Sequence, residues 1–139
     1  GRNAVPINMH FMGSQAQAEI PWWLVAADAL IVLGTVRDIQ SYRYTSPMKL
    51  FEYLATGRPI IASRTPAVRE IVSEREVFFY EPDNALDLAR VVQQAVTQST
   101  QLVPQIEASM RLATASSWSV RAERIVQFMK ENAPMRPYA

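Results

Sequence analysis

Two short runs, Ala29-Leu-Ile-Val-Leu33 and Pro59-Ile-Ile-Ala-Ser63, are apolar or small at successive positions, and each precedes a segment with helical spacing. A strand that is apolar on both faces has to be covered on both sides, and parallel strands need long crossovers, usually helices. The pattern therefore predicts an α/β fold, a parallel sheet with helices on each face. A chain of 139 residues has room for one modest domain, which can bury roughly two thirds of its unfolded surface.

Further elements fit the same scheme. Residues 7–13 alternate loosely and end at Gly13, predicting a strand, and residues 77–80 predict another. A helix is expected over residues 17–27, with Ile20, Trp23, Leu24 and Ala27 at helical spacing and Pro21 in its first turn. Residues 34–45 read as a polar, irregular loop. Ser46-Pro47 then opens a helix to about residue 55, serine capping and proline at the first helical position, and Thr56-Gly57 ends it. Thr65-Pro66 repeats the device for a short helix to about residue 72. Ala85, Leu88, Val92, Ala95 and Val96 form one stripe of a helix over residues 85–98. Two more helices, about 101–115 and 120–131, divide near Trp118-Ser119, and residues 133–139 are expected to fray as a flexible tail.

Composition narrows the chemistry. Fourteen Lys and Arg against thirteen Asp and Glu leave a net charge of +1, so no broad basic field exists for nucleic acid and any anion needs a local site. With no cysteine and one histidine, thiol catalysis, disulfides and His-rich metal clusters are excluded, which fits a cytoplasmic location and no metal. No apolar run approaches the roughly 20 residues of a membrane span.

The most informative segment is Ser46-Pro-Met-Lys-Leu-Phe-Glu-Tyr-Leu-Ala-Thr-Gly-Arg-Pro-Ile-Ile-Ala-Ser63. It follows a strand, so its helix should begin at the carboxyl edge of the sheet, where ligands of open α/β sheets bind. The free amides of Met48 and Lys49 with the helix dipole favour a phosphate there. Glu52 shares a face with Lys49, suited to accepting hydrogen bonds from sugar hydroxyls, while Leu50, Phe51 and Leu54 form the buried stripe. By spacing alone, a Lys49–Glu52 surface pair worth a few tenths of a kcal/mol explains the pattern equally well.

This segment closely resembles the signature of retaining family-4 glycosyltransferases of the GT-B fold, specifically their nucleotide-sugar-binding C-terminal domain. His10-Phe-Met-Gly13, Ala26-Ala-Asp28, Pro66-Ala-Val-Arg-Glu70 and Ser117-Trp-Ser-Val-Arg-Ala122 support the resemblance, which spans nearly the whole chain. It implies that residues 1–132 form a partial Rossmann-like donor-binding domain, with the family's first two strands absent. It also implies roles by position: Glu52 for the ribose, Ser46, Pro47, Met48 and Lys49 for the diphosphate, Gly13 and Ser14 near the base. The family's other glutamate, near the donor sugar, falls at Tyr44, which offers a hydroxyl but no charge.

The implied activity moves a sugar from a nucleotide-diphosphate sugar to a hydroxyl acceptor with retention and without metal or other cofactor. The missing N-terminal acceptor domain would complete it, so the 139 residues alone are expected to be inactive. A full-length enzyme would be cytoplasmic, with peripheral attachment to the inner membrane face as a variant. A nucleotide-binding module or degenerate relative without catalysis is the alternative, favoured by Tyr44. A receiver-like domain is disfavoured, because the strand ends Gly13, Leu33 and Ser63 carry no acidic cluster. An unpaired strand edge would allow a homo-oligomer. His10, Trp22, Trp23 and Trp118 are expected to be packed or at interfaces, and Arg37, Arg43, Asp28 and Glu70 to serve local structure.

Overall fold

The computed structural model describes residues 7–97 and 99–132. Three parallel strands, β1 (Leu30–Val32), β2 (Ile60–Ser63) and β3 (Phe78–Tyr80), lie in the order β1-β2-β3. Register aligns Ile31 with Ile61, Ile61 with Phe78, and Ser63 with Tyr80. Helix α1 (Ile20–Ala26) precedes β1, α2 (Met48–Leu54) links β1 to β2, and α3 (Pro66–Arg69) links β2 to β3. Helices α4 (Ala85–Thr97), α5 (Ser99–Ala115) and α6 (Trp118–Asn132) follow.

Alternation along the strands divides the core in two. Val32, Ile60, Ala62, Val77 and Phe79 meet Leu50 and Leu54 of α2 and Val68 of α3, with Leu112 of α5 packed alongside. On the opposite face, Ile61, Phe78 and Tyr80 meet Val91 and Ala95 of α4. Sheet between helices is the layering expected of the two apolar runs. The turns carry their anticipated chemistry as well: Gly57 ends α2 at φ +70, and the Thr65 hydroxyl caps α3 by accepting from the Val68 amide at 3.4 Å.

Several expectations are corrected. Residues 7–13 form no strand, and Ile7 and Phe11 are 98% and 77% exposed. A short strand has no independent stability, and among the described residues none of the three strands bonds this segment. The supposed irregular loop contains one turn of π-helix, Gln40–Tyr44, closed by the Thr45 amide donating to the Gln40 carbonyl at 2.9 Å. Pro47, not Ser46, is the N-cap of α2, and no side chain caps the helix. Pro47 itself takes extended backbone, with ψ 92, so the helix begins one residue later and Ser46 lies outside it.

The buried stripe of α4 centres on Val91 and Ala95, while Ala85 and Val96 are exposed; the helix axis places Val91, not the ends of the expected stripe, over β2 and β3. The last two helices divide at Ser116-Ser117, slightly earlier than expected. Trp22, Trp23 and Trp118 are exposed and belong to neither core cluster. The expected tail, residues 133–139, lies outside the described residues.

A candidate donor site between the first two helices

The main candidate site follows from how α2 is held. Leu50 and Leu54, both fully buried, fix one side of the helix against the sheet. The other side, carrying Lys49 and Glu52, then faces α1 across a hollow of about 640 Å³. Gln17, Ile20 and Leu24 form the α1 wall, and Tyr53 and Thr56 extend the α2 wall. The Arg58 guanidinium donates to the Val25 carbonyl, tying the end of α1 to the turn after α2 so that the two walls keep their separation. Glu52 is exposed yet lines this hollow. Burial raises the pKa of Tyr53, and the Glu52 carboxylate beside it pushes in the same direction.

Of the residues singled out from the sequence, the structure brings Lys49 and Glu52 together in this hollow. Gly13 and Ser14 are exposed and do not line it; they precede Gln17, which does. Ser46 and Met48 are exposed and Pro47 is half-buried. With Pro47 as N-cap, the first amide to find an acceptor is Leu50, which donates to the Pro47 carbonyl at 2.9 Å. The amides of Met48 and Lys49, earlier in the first turn, have no intrahelical acceptor. Tyr44, at the end of the π-turn, is 70% exposed and does not line the hollow. Gln17 and Thr56 were not anticipated, because a contact between two helices leaves no local spacing signal.

A second hollow, about 520 Å³, lies at the carboxyl tips of β1 and β3 and includes Gly34, Thr35, Ser41, Tyr80 and Asp83. Here the Asp83 carboxylate accepts from the Thr35 hydroxyl at 2.9 Å and the Val36 amide at 3.0 Å. Beneath Gly34, Ser63 is fully buried. Tyr80, its register partner, has a pKa raised chiefly by burial, partly offset by the Gly34 backbone and the Ser63 side chain. That approach falls short of hydrogen-bond geometry and leaves the Ser63 hydroxyl without a partner.

A family model described as glycosyl transferases group 1 matches residues 2–98. The chain belongs to that family. No curated protein matches it. Among solved structures, Anabaena HepE in complex with UDP and glucose is similar at TM-score 0.70 and 17% identity, over 88% of this chain and 32% of that one. Sucrose-phosphate synthase from Thermosynechococcus elongatus is similar at TM-score 0.62 and 19% identity, over 78% and 26%. The C-terminal domain of the group 1 glycosyltransferase LpcC from Francisella tularensis is similar at 0.58 and 20%, over 78% and 51%. The chain thus spans a third or less of HepE and sucrose-phosphate synthase, and about half of the LpcC domain. Its sheet and helices match the C-terminal half of the GT-B fold.

Among the described residues, no group of three or more His, Cys, Asp or Glu is placed to hold a metal ion. No described helix is long and apolar enough to cross a membrane. The carboxylates on the surface act locally. The Val36 amide and then the Thr35 hydroxyl hold Asp83 below the usual carboxyl range, and the Glu81 amide and then Arg90 do the same for Asp87. Because both are depressed on folding, their contribution is complete above the ordinary value of 3.8 and is lost as pH falls through their lower folded values. Thermal melts from neutral to acid pH should therefore be flat until that region and then drop. A smaller acid drop is expected for Asp87→Asn, and an undiminished one would remove Asp87 as a contributor.

Proposed function

We propose that this chain is the donor-binding part of a glycosyltransferase that moves a sugar from a nucleotide-diphosphate sugar to a hydroxyl acceptor with retention of configuration. The observation that carries this reading is the joint position of Lys49 and Glu52 on one wall of the hollow between α1 and α2. Glu52 accepts hydrogen bonds from the ribose hydroxyls, a role its exposed and acceptor-only carboxylate suits. The amides of Met48 and Lys49, following Ser46 and Pro47, face the diphosphate, where a helix terminus stabilises departing negative charge. Gly13 and Ser14 lie on the approach to the base beside Gln17. Tyr44 takes the place of a carboxylate near the donor sugar and contributes a hydroxyl. HepE, solved with UDP and with UDP-glucose, supplies the structural parallel.

An acceptor-binding domain completes the enzyme in this reading, which is cytoplasmic or peripheral to the inner membrane face and needs no cofactor beyond its nucleotide-sugar donor. The outer edge of β1 has no strand beside it among the described residues, which leaves room for further sheet or a second copy.

Calorimetry on the 139-residue chain tests the site. Glu52→Ala should weaken binding of a nucleoside diphosphate about tenfold, the effect of losing a hydrogen bond to a charged group. Unchanged affinity removes Glu52 from the site. The same protein supplied with a nucleotide sugar should show no turnover, and detectable transfer would overturn the need for a second domain.

A further inference from the structure

Among the described residues, Asp83 is the non-glycine with positive φ, at 60°. It is the third residue of the turn Glu81–Asn84, closed by the Asn84 amide donating to the Glu81 carbonyl at 3.2 Å, with Pro82 second. Glycine or asparagine is the natural occupant of such a position. Asp83 is exposed, so burial does not impose the conformation. Its side chain instead reaches across 47 and 48 residues of sequence to the segment leaving β1.

That segment holds two runs of local hydrogen bonds, one at Thr35–Arg37 and one at Asp38–Thr45. The Thr35 hydroxyl held by Asp83 accepts from the Arg37 amide at 3.1 Å. Asp38 then accepts from the Gln40 and Ser41 amides, both at 3.1 Å, and starts the π-turn. Thr45 closes that turn through its amide and hydroxyl on the Gln40 carbonyl. Three residues later α2 begins at Met48, bearing Lys49 and Glu52.

We propose that Asp83 is a positioning residue for donor binding: its carboxylate anchors the start of the segment 34–47 and thereby sets where α2 presents Lys49 and Glu52. The inference rests on the donor-binding reading above and extends it to a turn that touches no part of that hollow. Strain retained in a residue that bonds a distant loop is expected where position matters more than local stability.

The test compares wild type, Asp83→Gly and Asp83→Asn in the 139-residue chain, measuring affinity for uridine diphosphate, melting temperature and amide exchange at Val36. Asp83→Gly should raise the dissociation constant about fivefold, part of a charge-assisted hydrogen bond discounted for exposure. It should also lose protection at Val36. The melting temperature should fall only slightly: the lost carboxylate contacts are exposed, and glycine adopts positive φ without strain. Asp83→Asn keeps an acceptor oxygen and tolerates the same backbone, so it should recover most of the affinity. Wild-type affinity in Asp83→Gly, beside measurable wild-type binding, overturns this role alone. A large fall in melting temperature, with wild-type affinity regained when binding is measured well below the melt, assigns Asp83 to general stability and also overturns it. A wild type that binds no uridine diphosphate overturns the donor reading, and the proposed role with it.

Discussion

Leu54→Ala is expected to destabilise the protein by about 3–4 kcal/mol, within the range found for fully buried leucines. Leu54 is the last residue of α2, is completely buried, and packs in the cluster that contains Val32, Ile60, Val68, Val77 and Phe79. The loss has two parts, the burial of the removed methyl groups and the cavity left among strands too well tied to collapse. Domains of this size are stable by only about 5–15 kcal/mol, so much of the folded state's margin disappears. Urea unfolding should show a lower midpoint with an unchanged slope. Ile125→Ala on α6, where the side chain is 52% exposed, should stay within about 0.5 kcal/mol of wild type. A Leu54→Ala loss under about 1 kcal/mol would mean that α2 does not seat against the sheet as described, and the hollow bearing Lys49 and Glu52 would lose its wall.

The second large effect lies at Gly34. A Cβ there would stand 2.3 Å from the Ser63 hydroxyl, a separation real Cβ atoms essentially never show, and in tight contact with Thr65 Cγ2 at 3.0 Å and Ser63 Cβ at 3.2 Å. Ser63 is fully buried and has little room to turn away. Gly34→Ala should therefore force the segment after β1 outward at a cost of about 2 kcal/mol, typical of overpacking. Ser63→Ala alone should be nearly neutral or slightly stabilising, because the removed hydroxyl has no hydrogen-bond partner. Combining the two removes the closest clashing atom and leaves the tighter-than-usual contacts to Ser63 Cβ and Thr65 Cγ2. The double variant should therefore recover part of the Gly34→Ala loss, a coupling that a double-mutant cycle reads directly. Strict additivity would show that Gly34 is needed for a reason other than its approach to Ser63.

Much of the architecture is local in origin. The runs at residues 29–33 and 59–63, the proline-led start at Pro66, and the glycine stop at Gly57 each encode their element within a few residues. The resemblance carried by the segment from Ser46 to Ser63 likewise pointed to the family later matched. The failures share a cause. Residues 7–13 have strand-like alternation, yet a strand exists only where a neighbour accepts its hydrogen bonds. The π-turn at Gln40–Tyr44 depends on Asp38 and Thr45 meeting the turn's ends, which polar composition does not announce. Leu88, Val92 and Ala95 of the expected α4 stripe do pack on the sheet. Ala85 and Val96 at its ends do not, because how far the covered side extends depends on where the sheet lies.

The candidate site divides in the same way. Lys49 and Glu52 were visible because helical periodicity places residues three apart on one face. That this face looks onto α1, with Gln17 opposite and Arg58 holding the walls, is decided only when Leu50 and Leu54 dock on the sheet. The bond from Asp83 to Thr35 and Val36 was equally hidden, since it joins positions 47 and 48 residues apart. Short-range steric and hydrogen-bonding preferences are written residue by residue, and so the strands, helix starts and stops can be read from the chain. Contacts between distant segments arise from the packing of whole elements, and only the folded arrangement selects them.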